Sequence, residues 1–143
     1  MPYKNLVIIW LEKNGRYAAR VLSDDAVTPP LGHLRFVNIS GQELALKCTG
    51  QDQVLLAAGA DAIVAPRNGG VGLGVKMARP IKGTVGWELA LMNSIPVRPH
   101  ERVTAFIADS TNIALSLEEE GQGDDYQPDP LALFLIRDRG ARP

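Results

Sequence analysis

The densest group of residues with chemical potential in this chain of 143 residues is a glycine-rich run from Asn68 to Lys76. Glycine-rich runs bind phosphates through backbone amides when they are spaced Gly-x-Gly-x-x-Gly or stand directly before Lys and Ser or Thr. Neither spacing occurs, because Val75 stands where the third glycine is needed and separates Gly74 from Lys76. The run therefore predicts a strand with glycines on one face, against which another segment or another subunit packs closely.

A single cysteine, Cys48, and two histidines, His33 and His100, are the candidate nucleophile and bases. Cys48 alternates with Leu44 and Leu46, which predicts a buried apolar face where a thiol behaves as a small hydrophobic group. One cysteine cannot form an internal disulfide or a thiolate cage for a metal. We therefore predict no catalytic residues, no metal and no cofactor.

Acidic residues are concentrated in Asp24-Asp25 and in the segment from Glu118 to Asp125. The segment lacks the alternate acids and late glutamate of a calcium loop, so residues 118–130 are interpreted as a mobile acidic loop. Asp24 and Asp25 are interpreted as turn formers. A hydrolase that uses these aspartates with His33 or His100 is kept as an alternative.

The chain has 15 Lys and Arg against 16 Asp and Glu, with a net charge of -1. These charges are spread along the sequence, so neither a phosphate-binding basic face nor a polybasic membrane anchor is expected. Three arginines could cluster and bind an anion or a partner's carboxylates. The predicted interaction residues are these three, with the exposed side of the glycine strand: Arg35, Arg98, Arg102, Gly72, Gly74 and Lys76.

The elements that would position these residues are strands, because the dominant hydrophobic period is two. Strands are predicted over 5–11, 16–22, 33–39, 43–48, 53–57, 60–65, 71–78, 84–92, 102–108, 113–117 and 131–137. Asn14-Gly15 predicts a hairpin turn between the first two. The spacing predicts a single all-β domain over 1–143, a two-sheet antiparallel β-sandwich of the immunoglobulin-like type with about 8–10 strands and a frayed tail at 138–143.

The clearest alternation is in 43–48, 71–78 and 84–92, which are predicted to contribute much of the core. Val71, Leu73, Val75 and Met77 share one face of the second segment, and Val85, Trp87, Leu89 and Leu91 share one face of the third. The apolar run Leu6–Leu11 is too short for a membrane span, which needs about 20 residues. It also lacks a small-residue cleavage site, so it is interpreted as a strand.

Several strand-and-turn motifs occur in a recognisable order. They are Gly15-Arg16-Tyr17, Gly32-His33-Leu34-Arg35-Phe36-Val37-Asn38-Ile39, Leu56-Ala57-Ala58-Gly59, Trp87-Glu88-Leu89-Ala90 and Val97-Arg98-Pro99-His100. In this order the chain resembles uncharacterised bacterial β-sandwich domains, immunoglobulin-like or transthyretin-like and mostly exported, over residues 5–110. The resemblance implies a periplasmic or extracellular location if an upstream signal is removed.

The resemblance brings no catalytic residues with it. The leading hypothesis is therefore a non-catalytic module for protein–protein assembly or self-association, through a strand edge or face. The alternative is a module that binds carbohydrate or another small ligand, with exposed aromatic residues beside Arg98 or Arg102.

Overall fold

The computed structural model describes residues 5–12, 14–23, 29–66, 72–109 and 131–139. These residues form ten strands and no helix: β1 (Asn5–Leu11), β2 (Tyr17–Ser23), β3 (Leu34–Asn38), β4 (Leu44–Cys48), β5 (Val54–Leu56), β6 (Asp61–Val64), β7 (Leu73–Pro80), β8 (Trp87–Ile95), β9 (Glu101–Asp109) and β10 (Leu131–Arg139). The predicted strand 113–117, the acidic loop and Asp24-Asp25 lie outside the described residues. β10 runs to Arg139, two residues into the predicted frayed tail 138–143, and the rest of that tail lies outside the described residues.

The strands form two open four-stranded sheets and a separate hairpin. Sheet I has the order β10-β9-β3-β6, sheet II has the order β5-β4-β7-β8, and β1 pairs with β2. All pairs are antiparallel except β3 and β9, which run parallel. The prediction of a purely antiparallel sandwich is wrong at this pair. Parallel neighbours need a long crossover, and here all of β4 to β8 intervenes between the two strands.

The hydrophobic core lies between sheets I and II. It is filled by alternate side chains from both sheets, among them Leu34, Phe36, Leu44, Leu46, Leu73, Val75, Met77, Val103 and Ile107, all at most 3% exposed. The predicted core faces of 43–48 and 71–78 are thus confirmed for the described residues, which exclude Val71. The all-β, sandwich-like architecture follows from burying the inner face of each sheet against the other.

The β1–β2 hairpin lies on the outer face of sheet I and forms a third layer. Leu22 of the hairpin is buried with Val37 and Phe106 of the sheet, and Leu6 and Ile8 pack against them. The hairpin turns at Gly15, whose φ of 81° favours glycine. A side chain from β2 also bonds to the sheet, because Arg20 Nη2 donates to Asp61 Oδ1 at 2.5 Å.

The prediction that Val85, Trp87, Leu89 and Leu91 share one buried face is wrong, because β8 contains a β-bulge. Met77 pairs with Leu91 but the next residue, Ala78, pairs with Leu89, so Ala90 is an extra residue on β8. A bulge of one residue reverses the side-chain alternation beyond it. Leu91 therefore packs against the core, whereas Leu89 is 60% exposed and Trp87 is 42% exposed. Val85 precedes the strand and is fully exposed.

Asn38 joins the end of β3 to two neighbouring turns and is completely buried. Its Nδ2 donates to the carbonyl oxygens of Gln42, Leu56 and Ala57 at 2.7, 2.9 and 3.2 Å. Its Oδ1 accepts from the Ser40 amide and hydroxyl. A buried amide with this many partners fixes the loops that link sheet I to sheet II. Within the described residues there is no helix that could span a membrane.

Candidate functional site

An exposed apolar surface covers the outer face of the hairpin. It is formed by Val7, Ile9, Leu11, Tyr17, Ala19 and Val21 and is called here the hairpin face. These residues are opposite one another in the register: Val7 with Val21, Ile9 with Ala19 and Leu11 with Tyr17. Ile9 is 65% exposed and Tyr17 is 77% exposed. Contiguous exposed apolar patches on proteins commonly mark interaction sites.

The composition of β1 explains why this face is apolar. Residues Leu6 to Leu11 are apolar without a break, so both faces of the strand are apolar. Such runs are typical of strands that are covered on both faces. Sheet I covers one face, and no described residue covers the other. The unbroken run Leu6–Leu11 already indicated a strand that is apolar on both faces. The run alone does not show which of the two faces packs against the sheet and which is exposed.

A second exposed apolar surface lies beside the hairpin, on the outer face of β10. Phe134, Phe106 and Val37 are neighbours in one row across sheet I. Along that row the exposed fraction falls from 52% at Phe134 to 8% at Phe106 and 0% at Val37. Ile136, on the same face of β10, is also 52% exposed. The hairpin therefore covers β9 and β3 but leaves β10 open.

Of the predicted glycine site, Gly74 lies on β7, an interior strand, and Gly72 directly precedes that strand. The strand is hydrogen-bonded to β4 on one side and to β8 on the other, so it can offer a partner only its face. A Cβ at Gly72 would collide with Ser94 Oγ, and one at Gly74 would collide with Thr49 Oγ1. The close approach that the glycines were predicted to permit is therefore made by side chains of this same chain.

Lys76, also on β7, stands directly opposite Lys47 of β4 on the outer face of sheet II. Both side chains are exposed, and Lys47 Nζ donates to the carbonyl oxygen of Gln51. Like charges opposite one another in a sheet are mildly destabilising. The centre of the outer face of sheet II is therefore positively charged and exposed to solvent.

The three predicted arginines do not form one cluster. Arg35 and Arg102 both lie on the outer face of sheet I, where Arg35 is opposite Thr104 and Arg102 is opposite Asp138. Arg35 is 1% exposed, and Arg102 makes an ion pair with Asp138. Arg98 is an exposed residue of the loop between β8 and β9. Of the three predicted arginines, Arg98 is the one that an external anion would meet directly.

A buried carboxylate that the sequence analysis missed lies at the end of the core. Glu101 is 3% exposed, and its Oε1 accepts from Arg137 Nη1 at 2.7 Å and from the Arg98 amide at 3.2 Å. Arg137 Nη1 also donates to the carbonyl oxygen of Pro96 at 2.8 Å. These bonds join β9, β10 and the loop between β8 and β9. The pairing depends on strand register, so local sequence carried no signal for it.

Cys48 lines a cavity of about 200 Å³ between sheets I and II at the β5–β6 end, with Leu46, Gln51, Asp52, Val54, Ala62, Ile63 and Val64. Burial raises the pKa of its thiol to about 11, although Lys47 acts in the opposite direction. The thiol is therefore protonated near neutral pH and is a poor nucleophile. The cavity is smaller than most ligand sites, which run from about 300 Å³.

The two histidines lie away from this cavity, since neither lines it. His33 Nδ1 is 3.1 Å from the carbonyl oxygen of Leu31, and His100 is an exposed loop residue. Among the described residues no three His, Cys, Asp or Glu side chains come together as a metal site. Comparison of the chain with protein-family models, curated proteins and solved structures finds no match.

Proposed function

We propose that the protein is a non-catalytic β-sandwich module that makes protein–protein contacts, with the hairpin face as its contact surface. The observation that carries this proposal is that β1 is apolar on both faces while only one face is covered. Apolar surface removed from water contributes about 25 cal/mol per Å². A partner that covered the hairpin face would bury this apolar surface, and the hydrophobic free energy of that burial would stabilise the complex.

The surroundings of the hairpin face also suit a protein partner. The apolar pairs lie in the middle, while Glu12, Asn14 and Arg16 are exposed at the turn and Asn5 is exposed at the other end. An apolar centre with a polar rim is the usual anatomy of a protein interface. Tyr17, at the border between the two zones, is of a type enriched in interface hot spots.

The biological setting of this contact rests on the resemblance described above. On that basis we propose an exported bacterial protein with an immunoglobulin-like sandwich, periplasmic or extracellular if an upstream signal is removed. In that setting an assembly role requires a stable scaffold and an exposed contact surface. The packed sheets I and II supply the scaffold, and the hairpin face supplies the surface.

The alternative, a carbohydrate or small-ligand module, draws support from the exposed side chain of Trp87. However, Trp87 begins β8 and Arg98 follows its end, so the strand separates them by about 25 Å at 3.3 Å per residue. Trp10 is half-buried on the hairpin. An aromatic platform beside Arg98 or Arg102 is therefore less well supported than the protein contact.

Photo-crosslinking in cells that express the full chain tests the proposal. Tyr17 is replaced by p-benzoylphenylalanine, and Val85, a fully exposed turn residue before β8, receives the same replacement as a control. We expect discrete protein adducts from position 17 and none from position 85. Adding Ile9→Lys to the Tyr17 variant should abolish the adducts while the circular dichroism spectrum stays unchanged.

Adducts that survive Ile9→Lys, or that form equally at both positions, would contradict a contact at the hairpin face. Absence of adducts at position 17 together with saturable binding to an immobilised glycan panel would favour the alternative. Loss of that glycan binding in Trp87→Ala would then locate the carbohydrate surface on β8.

A further inference from the structure

The edges of the two four-stranded sheets differ in how well they are protected. An edge strand exposes unpaired backbone amides and carbonyls, and proteins usually blunt it by shortness, charge, proline or a bulge. Among the four edges, β5 has three residues and β6 has four. The third, β8, has a bulge at Ala90 and polar residues Glu88, Asn93 and Ser94.

The fourth edge, β10, has none of these protections over most of its length. It has nine residues, and the first six, Leu131 to Ile136, are all apolar and contain no proline. Among the described residues, no strand pairs with its free side. Its charged end does not guard it either, because Arg137 is bonded to Glu101 and Asp138 is bonded to Arg102.

We infer that β10 pairs with β10 of a second copy of this chain, antiparallel across a two-fold axis, so that sheet I continues through the dimer as eight strands. This inference is independent of the contact proposed for the hairpin face, because different residues carry it. A partner strand can pair directly with such a row of exposed backbone groups. The sequence of β10 decides which strand fits.

The strand is complementary to itself on both of its faces. Leu133 and Leu135 point to the core side, since they pair with Ile107 and Ala105, whereas Phe134 points outward with Phe106. When the two copies are paired about Phe134, Leu133 meets Leu135 of the second copy on the core side. Phe134 then meets its own equivalent on the outer side. Apolar side chains meet apolar side chains, and aromatic cross-strand pairs contribute to sheet stability.

The neighbouring strand supplies additional area for such an interface. Sheet II ends in β8 on the same side of the sandwich. Ala90 and Leu91 of β8 and Leu133 of β10 all pack against the core cluster that contains Leu131. A dyad at β10 therefore also brings the two β8 strands near one another. Both sheets then contribute toward the roughly 800 Å² per partner of a standard interface.

Sedimentation velocity on the full chain over a wide concentration range tests this dimer. We expect a monomer–dimer equilibrium whose dissociation constant rises about tenfold or more in Phe134→Lys and in Ile136→Lys. Leu55→Lys is the matched control, because Leu55 is 56% exposed on the edge strand β5 at the opposite side of the sandwich. It should dimerise like the natural chain.

A monomer at all concentrations would overturn the inference, as would a dimer that Phe134→Lys leaves intact.

If a lysine variant fails to fold, single cysteines at 133, 134 and 135 provide a second measurement, since the native Cys48 is 2% exposed. A residue on the dyad should form an intermolecular disulfide under mild oxidation, and Leu55→Cys should not. No crosslinking at the three positions would contradict the pairing. Loss of the dimer with retention of the crosslinked adducts at position 17 would overturn the β10 dimer and leave the hairpin-face contact standing. Loss of the adducts with retention of the dimer would overturn the hairpin-face contact alone.

Discussion

Ile8 and Ile9 are consecutive residues of β1 in opposite environments. Ile8 packs against the cluster of Leu22, Val37 and Phe106, while Ile9 is 65% exposed opposite Ala19. The two side chains have the same size and the same chemistry. The same substitution can therefore be compared at a buried and an exposed position. A charge at position 8 tests the cost of burial, and a charge at position 9 tests whether the outer face is covered.

Lysine substitutions at these two positions should have different effects on stability. Ile8→Lys should lower the free energy of unfolding by about 2 kcal/mol, because it places an ammonium group between the hairpin and sheet I. Ile9→Lys should change it by less than about 0.5 kcal/mol, since the side chain already contacts water. Urea unfolding followed by tryptophan fluorescence measures both. Equal losses would show that the hairpin face is covered within the chain itself.

Replacing Asn38 by alanine should destabilise the fold severely. The change removes the donor to three carbonyl oxygens, those of Gln42, Leu56 and Ala57, and leaves buried acceptors unsatisfied. We expect a loss of about 3 kcal/mol or more in the free energy of unfolding. Ser40→Ala is the control: it removes the hydroxyl that donates to Asn38 Oδ1 and lies 3.3 Å from the Gln42 carbonyl oxygen, and it should cost about 1 kcal/mol. Similar values for the two variants would contradict a central role for the Asn38 amide.

Stability should fall at alkaline pH because of Cys48. Burial raises the pKa of the thiol from 9.0 to about 11, so the unfolded chain loses its proton at lower pH than the folded chain. The contribution is therefore complete below pH 9 and is lost as pH rises through about 11. We expect this loss of stability to be about 1–2 kcal/mol.

Urea unfolding between pH 8 and pH 11 in the natural chain and in Cys48→Val checks this prediction, because other groups that titrate there cancel in the difference. The natural chain should lose more stability than the variant over this window. Parallel curves would mean that the pKa of Cys48 does not change on folding. A reagent that reacts with thiolates should likewise label the native chain only on unfolding.

The hydrophobic period of two was sufficient to predict the all-β class and most strand positions. It was also sufficient for the core faces of β4 and β7, where Leu46 and Val75 are buried as the alternation predicts. Burial on one face imposes that alternation on the sequence directly. It failed for Trp87 and Leu89, because one bulged residue on β8 reverses the faces and leaves no local mark in the sequence.

The exposed surfaces and the buried polar bonds were decided by the tertiary structure. Local sequence determined that β1 and β10 are apolar on both faces, and it placed Gly15 in a hairpin turn. It did not determine that the hairpin stops short of Phe134, that β7 is an interior strand, or that Glu101 meets Arg137. Each of these depends on which strands become neighbours and in what register, and that choice is made by contacts between residues far apart in the chain.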